Sequence, residues 1–201
     1  MDFVMSYVLI PFIKWGQYFF YFVILFIAAN KRFSWLRYFS SLSYKFLIWS
    51  VIGFKFFYAS IETFGQYYIW SDNKFTKLLL DQIGYFIFYS LGRFWLEIVV
   101  SLVAALAFYL FLVFLKKYKE RFFEEGEVEL GFILALTVGW SNFIVFLPLV
   151  FLSVILVSIF RKIVFKETYT TLGAPLLLAA LLVLLFGRYF IDILGLAALR
   201  V

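Results

Sequence analysis

Long apolar stretches separated by short charged segments make up most of this chain. A helix needs about 20 apolar residues to cross the hydrocarbon core of a bilayer. The pattern predicts seven helical segments, at residues 3–29, 46–61, 78–91, 94–115, 130–139, 143–160 and 172–187. The fifth is too short to cross alone, so we expect that helix to be half-buried or extended by the preceding loop. The predicted fold is all-α: a polytopic transmembrane helix bundle of about seven segments, in a single integral membrane domain, 1–201.

The composition excludes the soluble classes of protein. Hydrophobic residues make up 66% of the chain and charged residues only 15%, against about 25% charged in a typical soluble domain. The lipid bilayer is therefore the expected partner. The chain has no Cys and no His, which removes thiol nucleophiles, disulfides, imidazole bases and Cys or His metal sites. We expect no metal and no cofactor.

The excess of basic residues predicts topology. With 18 Lys and Arg against 12 Asp and Glu, the formal charge is +6, which in a membrane protein indicates orientation and contact with anionic lipid rather than nucleic-acid binding. Loops 62–77, 116–129 and 161–171 carry nine of these basic residues, so we predict that they share the cytoplasmic face and that the amino terminus is inside. Four basic residues contradict this scheme, and we interpret residues 33–45 around them as an interfacial amphipathic helix. These four are Lys31, Arg32, Arg37 and Lys45.

Ionisable residues inside a span are costly and suggest function. Lys55, Asp81 and Glu97 are such residues, and Glu62 lies two helical turns after Lys55. The structural interpretation is that they reach the headgroups or form ion pairs. The functional interpretation is an ion or proton path through a small transporter.

Three motifs resemble the type IV prepilin peptidases. The run GEVELGFILALTVGW, residues 126–140, is similar to the family's second active-site segment, Gly-x-Gly-Asp-x-Lys followed by a short Leu/Ala-rich helix closed by Gly-Trp. The run TLGAPLLLAALLVLLFG, residues 171–187, is similar to the family's Pro-Phe-Gly-Pro helix, with Gly173 retained. The sequences ASIE, 59–62, and DNKFT, 72–76, resemble the first active-site segment, in which a span ends in Ile-Asp before a polar turn.

The resemblance implies a membrane aspartic-type endopeptidase in a prokaryotic inner membrane. Such an enzyme cleaves the leader of a prepilin-like substrate, which has a basic leader and a hydrophobic helix, at the cytoplasmic face. The implied catalytic carboxylates are Glu62 and Glu127, which would share a proton as general base and general acid. The residues implied to bind substrate or support the site are Asp72, Asn73, Lys74, Gly126 and Glu129.

Departures from the family pattern keep two alternatives open. Glu replaces both catalytic Asp residues, Glu129 replaces the family's Lys, and the cysteine-rich methylation domain is missing. The extra methylene of Glu moves a carboxyl by about 1 Å, and a misplacement of that size can cost about 10²-fold in rate. The alternatives to a peptidase are an inactive or repurposed relative acting as a membrane scaffold, and a small ion- or proton-coupled transporter.

Overall fold

The computed structural model describes residues 10–33, 43–80, 83–164, 166 and 171–196, and within these ranges every regular element is helical. The helices are Ile10–Phe33 (α1), Tyr44–Asp72 (α2), Lys74–Leu80 (α3), Ile83–Ser90 (α4), Leu96–Tyr118 (α5), Glu127–Val138 (α6), Trp140–Val164 (α7) and Gly173–Ile193 (α8). A π-helical turn, Leu91–Trp95, joins α4 to α5, and a 3-10 turn, Glu120–Phe122, follows α5. The all-helical class is confirmed.

Four helices of the described chain are long and apolar enough to cross a membrane. They are Tyr44–Asp72, Ile83–Tyr118, Trp140–Val164 and Gly173–Ile193. The expected count of about seven segments is therefore not confirmed, although membrane character is supported. The spans predicted at 143–160 and 172–187 correspond to α7 and α8, with each helix extended by several residues.

The short helix α6 forms the centre of the bundle. Ten of its 12 residues are buried, including every residue from Ile133 to Val138. Gly131 lets α5 come close, because a Cβ there would collide with the Leu112 side chain. Twelve residues rise about 18 Å, roughly half of a bilayer core. Of the two alternatives expected for this segment, half-buried or extended by the preceding loop, the structure shows the extension, since the helix starts at Glu127 rather than at Leu130.

Glycine contacts define the two ends of the bundle. At one end the Tyr44 ring of α2 lies against Gly126, and Arg32 of α1 lies against Gly173 at the start of α8. We call this the basic end. At the other end, the far end, α6 ends at Gly139 and the Asn142 side chain of α7 packs on Gly187 of α8. From Gly173 to Gly187, α8 rises about 21 Å, which separates the two levels.

Two predicted breaks between spans are continuous helix. The segment predicted at 46–61 continues to Asp72, because Glu62 and its polar neighbours are compatible with a helix and the Thr63 hydroxyl donates to the Ala59 carbonyl at 2.8 Å. Aromatic packing across α2 and α4 also supports this extension, with Trp70 against Phe86 and Tyr89. The break predicted between the segments 78–91 and 94–115 is the π-helical turn, which inserts an extra residue without reversing the chain.

The prediction that loops 62–77, 116–129 and 161–171 share one face is wrong. α2 starts beside Gly126 at the basic end, and Glu62 lies 18 residues later, about 27 Å along the helix. Residues 62–77 therefore lie at and beyond the far end. The amino-terminal segment is also not on the side of loops 116–129 and 161–171, as predicted, since α1 runs from the far end, where Gln17 lies with Asn142, to the basic end.

Three of the four basic residues that contradicted the predicted topology, Lys31, Arg32 and Lys45, lie at the basic end in this arrangement. Among the described residues, ten basic side chains belong to helix ends and connections at the basic end: Lys31, Arg32, Lys45, Lys116, Lys117, Lys119, Arg121, Arg161, Lys162 and Lys166. Arg37, and most of the stretch interpreted as an amphipathic helix, lie outside the described residues.

Candidate functional site

The carboxylate of Glu127 lies in a pocket of hydrogen-bond donors at the basic end. Its Oε2 accepts the backbone N–H groups of Glu124 at 3.1 Å and Leu172 at 3.2 Å, and its Oε1 accepts that of Gly173 at 2.7 Å. The Arg32 Nε lies 3.4 Å from Oε1, within ion-pair distance but without hydrogen-bond geometry. Glu127 is only 1% exposed. Both oxygens are therefore occupied by protein donors and closed to solvent.

Local sequence explains why a carboxylate is held there. Gly126 adopts φ +81°, a conformation that glycine tolerates, and turns the chain into α6. The first turn of α8 leaves backbone N–H groups without helical acceptors, and its dipole favours a negative charge. Glu127 fills that position. Gly173 is required for the close approach, because a Cβ there would lie 2.6 Å from Arg32 Nε and 2.7 Å from Glu127 Oε1.

Arg32 joins three parts of the fold at this point. One terminal nitrogen, Nη2, lies 2.7 Å from Glu124 Oε1 and donates to the Thr171 hydroxyl at 3.0 Å. The guanidinium therefore ties the end of α1 to the turn before α6 and to the start of α8. Sequence reasoning missed this role. The Lys31-Arg32 pair at the end of an apolar helix is its only local signal in the sequence, and such a pair indicates topology.

The implied site residues fall into two groups at opposite ends of the bundle. Glu127 lies at the basic end with Gly126, the N-cap of α6, and Glu129 in the first turn of that helix. Glu62 lines a cavity at the far end, about 27 Å along α2 from Tyr44, whose ring lies against Gly126 beside Glu127. The structure does not bring the two carboxylates together.

The remaining residues of the implied set lie farther away still. Asp72 ends α2, Asn73 caps it and Lys74 starts α3, and all three are exposed. Asp72 is 28 residues from Tyr44, about 42 Å along α2, so this turn is remote from Glu127.

A second polar site is the cavity at the far end, of about 300 Å³. Its charged lining residues are Lys55, Glu62, Glu97 and Arg188, from three different spans. Tyr18, Tyr21 and Tyr58 add phenol rings, and the Tyr58 hydroxyl interacts with the Glu62 carboxylate one turn later. Three of the four residues assigned to a possible ion path therefore share one cavity, whereas Asp81 lies outside the described residues.

Lys55 and Glu97 face each other across Gly139. A Cβ at Gly139 would lie 3.7 Å from Lys55 Nζ and 3.5 Å from Glu97 Oε1, so these two charged atoms are no more than about 7 Å apart. Gly139 has φ +79°, and its lack of a side chain keeps the space between them open. Sequence analysis identified both residues as costly but had no signal that α6 would end between them.

Comparisons with known proteins add no relative. No family model, curated protein or solved structure matches the chain. Within the described ranges, no group of three or more His, Cys, Asp or Glu residues is placed to hold a metal ion. The chemistry of the two sites therefore rests on the residues themselves.

Proposed function

We propose that this chain is a multi-pass membrane scaffold without peptidase activity, repurposed from a prepilin-peptidase-like fold. The observation that carries the proposal is the environment of Glu127. Its carboxylate accepts three backbone N–H groups, lies beside Arg32 and is closed to solvent. It ties helices together where a peptidase would need it to activate water.

Aspartic-type hydrolysis requires two carboxyl groups that share a proton around a water molecule. Glu62 lies about 27 Å along α2 from Tyr44, whose ring lies against Gly126 beside Glu127. Glu124 is nearer in sequence, but its carboxylate is paired with Arg32 at 2.7 Å. The described residues around Glu127 thus supply N–H donors and a guanidinium, which suit an anchored anion better than a proton relay.

The charge distribution supports an orientation with the basic end in the cytoplasm, because cytoplasmic ends of membrane proteins carry the Lys and Arg excess. The far end, with Lys74 and Lys77 beyond it, then faces the opposite side. A prokaryotic inner membrane is the location that the resemblance implies, and it stays part of this proposal.

The proposed partner is a prepilin-like segment that is held rather than cut. Glu120, Glu124 and Glu125 are exposed at the basic end, where they would attract a basic leader, while lipid-facing helices would lie beside its apolar helix. Charge reversal at Glu120 and Glu125, which are not among the groups that bond the Glu127 carboxylate, should weaken binding of a fluorescent leader-helix peptide in nanodiscs. An unchanged affinity would contradict this partner.

Cleavage by the reconstituted protein tests the proposal directly. The unmodified chain is incubated in proteoliposomes with several prepilin-like substrates, alongside Glu62→Gln and Glu127→Gln. We expect no cleavage by any of the three proteins. Cleavage by the unmodified chain that is lost in both variants would overturn the proposal and favour a peptidase, because Gln keeps the shape of Glu but cannot exchange a proton.

The far-end cavity favours a second candidate function, a small transporter. Lys55, Glu62 and Glu97 line one cavity between spans, and intramembrane charges commonly mark ion or substrate pathways. Flux into proteoliposomes under a proton gradient, followed with an internal pH dye, tests this function. Glu97→Gln should abolish the flux, and absence of flux in the unmodified protein would leave the scaffold as the only candidate.

A further inference from the structure

Lys55 is a buried cation that forms no ion pair within 4 Å with the residues that the structure describes. It lies in the middle of α2 and is only 6% exposed. Its ammonium group lies over the Tyr21 ring, whose centroid is 5.8 Å from Nζ. Burying an ammonium group away from water is costly unless an anion or several acceptors solvate it. The cavity beside Lys55 is where such an anion would lie.

The start of α7 adds donors to the same cavity. Ser141 and Asn142 line it, and the N–H of Phe143 makes the first bond of this helix, to the Gly139 carbonyl at 2.9 Å. The backbone N–H groups before Phe143 lack an acceptor within the helix, and the helix dipole makes this end positive. Lys55 and the start of α7 therefore offer an oxyanion both a cation and N–H donors.

The other side of the cavity attracts a cation. Glu62 and Glu97 supply carboxylates, and the rings of Tyr18, Tyr21 and Tyr58 supply π faces of the kind that bind ammonium groups. Two cations and two carboxylates line the space, so its formal charge is balanced. A ligand of either single charge would satisfy only one side.

We propose that the far-end cavity binds a small zwitterion, with its oxyanion on Lys55 and the start of α7 and its ammonium group on Glu97 and Glu62. A molecule whose two charges are about 3 Å apart, with a hydrogen bond of about 2.8 Å on each side, spans about 8.6 Å when extended. It would therefore bridge Lys55 Nζ and Glu97 Oε1, which are at most about 7 Å apart, from one side of the line that joins them. The volume of about 300 Å³ fits a molecule of amino-acid size and lies at the small end of ligand pockets. This inference does not depend on the scaffold proposal.

Two sources offer this chemistry: a free amino acid and the phosphoethanolamine headgroup of a lipid. The full chain is reconstituted in nanodiscs of phosphatidylglycerol, which carries no ammonium group, and binding of glycine, alanine and leucine is measured by isothermal calorimetry. A second set of nanodiscs contains phosphatidylethanolamine, and the thermal midpoint is compared between the two sets. Saturable binding of an amino acid identifies a free solute as the source. A higher thermal midpoint in the nanodiscs that contain phosphatidylethanolamine identifies the lipid headgroup as the source, because a ligand that binds only the folded state raises the midpoint.

Acetate and methylamine serve as probes that carry a single charge. Lys117→Met is the matched control for Lys55→Met, because Lys117 is exposed at the basic end. We expect zwitterion affinity to fall at least about tenfold in Lys55→Met and to be unchanged in Lys117→Met. Glu97→Gln should weaken it similarly and gives an independent result if Lys55→Met does not fold. Equal binding of acetate alone, or no response to either zwitterion source, would overturn the proposal.

Discussion

Replacement of Glu127 by Gln measures how much this carboxylate stabilises the fold. The amide of Gln can take two orientations, and in both its NH₂ group faces hydrogen-bond donors. In one orientation it faces the N–H groups of Glu124 and Leu172. In the other it faces the N–H of Gly173 and the Arg32 guanidinium. At least one buried N–H then loses its acceptor, at about 1–3 kcal/mol, and Arg32 loses a buried counter-charge. We expect a total loss of about 3–5 kcal/mol, the range for breaking a buried ion pair by removing one partner.

Thermal unfolding in nanodiscs, followed by Trp fluorescence, provides the readout. At about 2–4 °C per kcal/mol for a chain of this size, Tm should fall by about 6–20 °C. Glu125→Gln is the matched control, because Glu125 is exposed, lies in the same turn and undergoes the same chemical change. Equal Tm values for the two variants would refute the assignment of Glu127 as an anchor.

A double-mutant cycle separates the ion pair from the backbone hydrogen bonds. Arg32→Gln alone should also lower Tm, because Arg32 contacts Glu124, Glu127 and Thr171. The double variant with Glu127→Gln should lose less than the sum of the two single losses, by about 0.5–3 kcal/mol, since contacting residues couple. Strict additivity would mean that the two side chains do not interact.

Two further predictions concern packing and topology. Gly173→Ala should destabilise the protein by about 1–3 kcal/mol in the same assay, because its methyl group would collide with the ion pair, whereas Gly53→Ala, with nothing within 4 Å of its Cβ, should not lower Tm. Because the chain has no Cys, single Cys residues introduced at Lys74, Lys119 and Lys166 report topology without background labelling. A membrane-impermeant reagent should label Lys119→Cys and Lys166→Cys from one side and Lys74→Cys from the other, and labelling of all three from the same side would contradict the fold.

Hydropathy alone determined the all-helical membrane class, the spans now seen as α7 and α8, and the short segment that became α6. These features depend only on the apolar content of each segment. A segment inside the bilayer has no water to bond its backbone groups, so it must satisfy them within a helix. The same local signal placed helix ends incorrectly at Glu62 and Gly92. A polar residue lowers the hydropathy and so predicts a loop, yet it continues a helix when neighbouring side chains support it. Next to Glu62, for example, the Trp95 indole N–H donates to the Thr63 hydroxyl at 3.2 Å.

Tertiary packing decided what surrounds each charged residue. Thr171 lies 139 positions from Arg32, and Gly173 lies 46 positions from Glu127, yet all four meet at one point. Which side chains share an end depends on the direction and length of every helix between them, and the 29 residues of α2 carry Glu62 away from Glu127. The sequence identified Lys55 and Glu97 as costly groups, and the resemblance implied a catalytic role for Glu127. Only the packed bundle showed that Glu127 anchors helices and that Lys55 and Glu97 line one cavity.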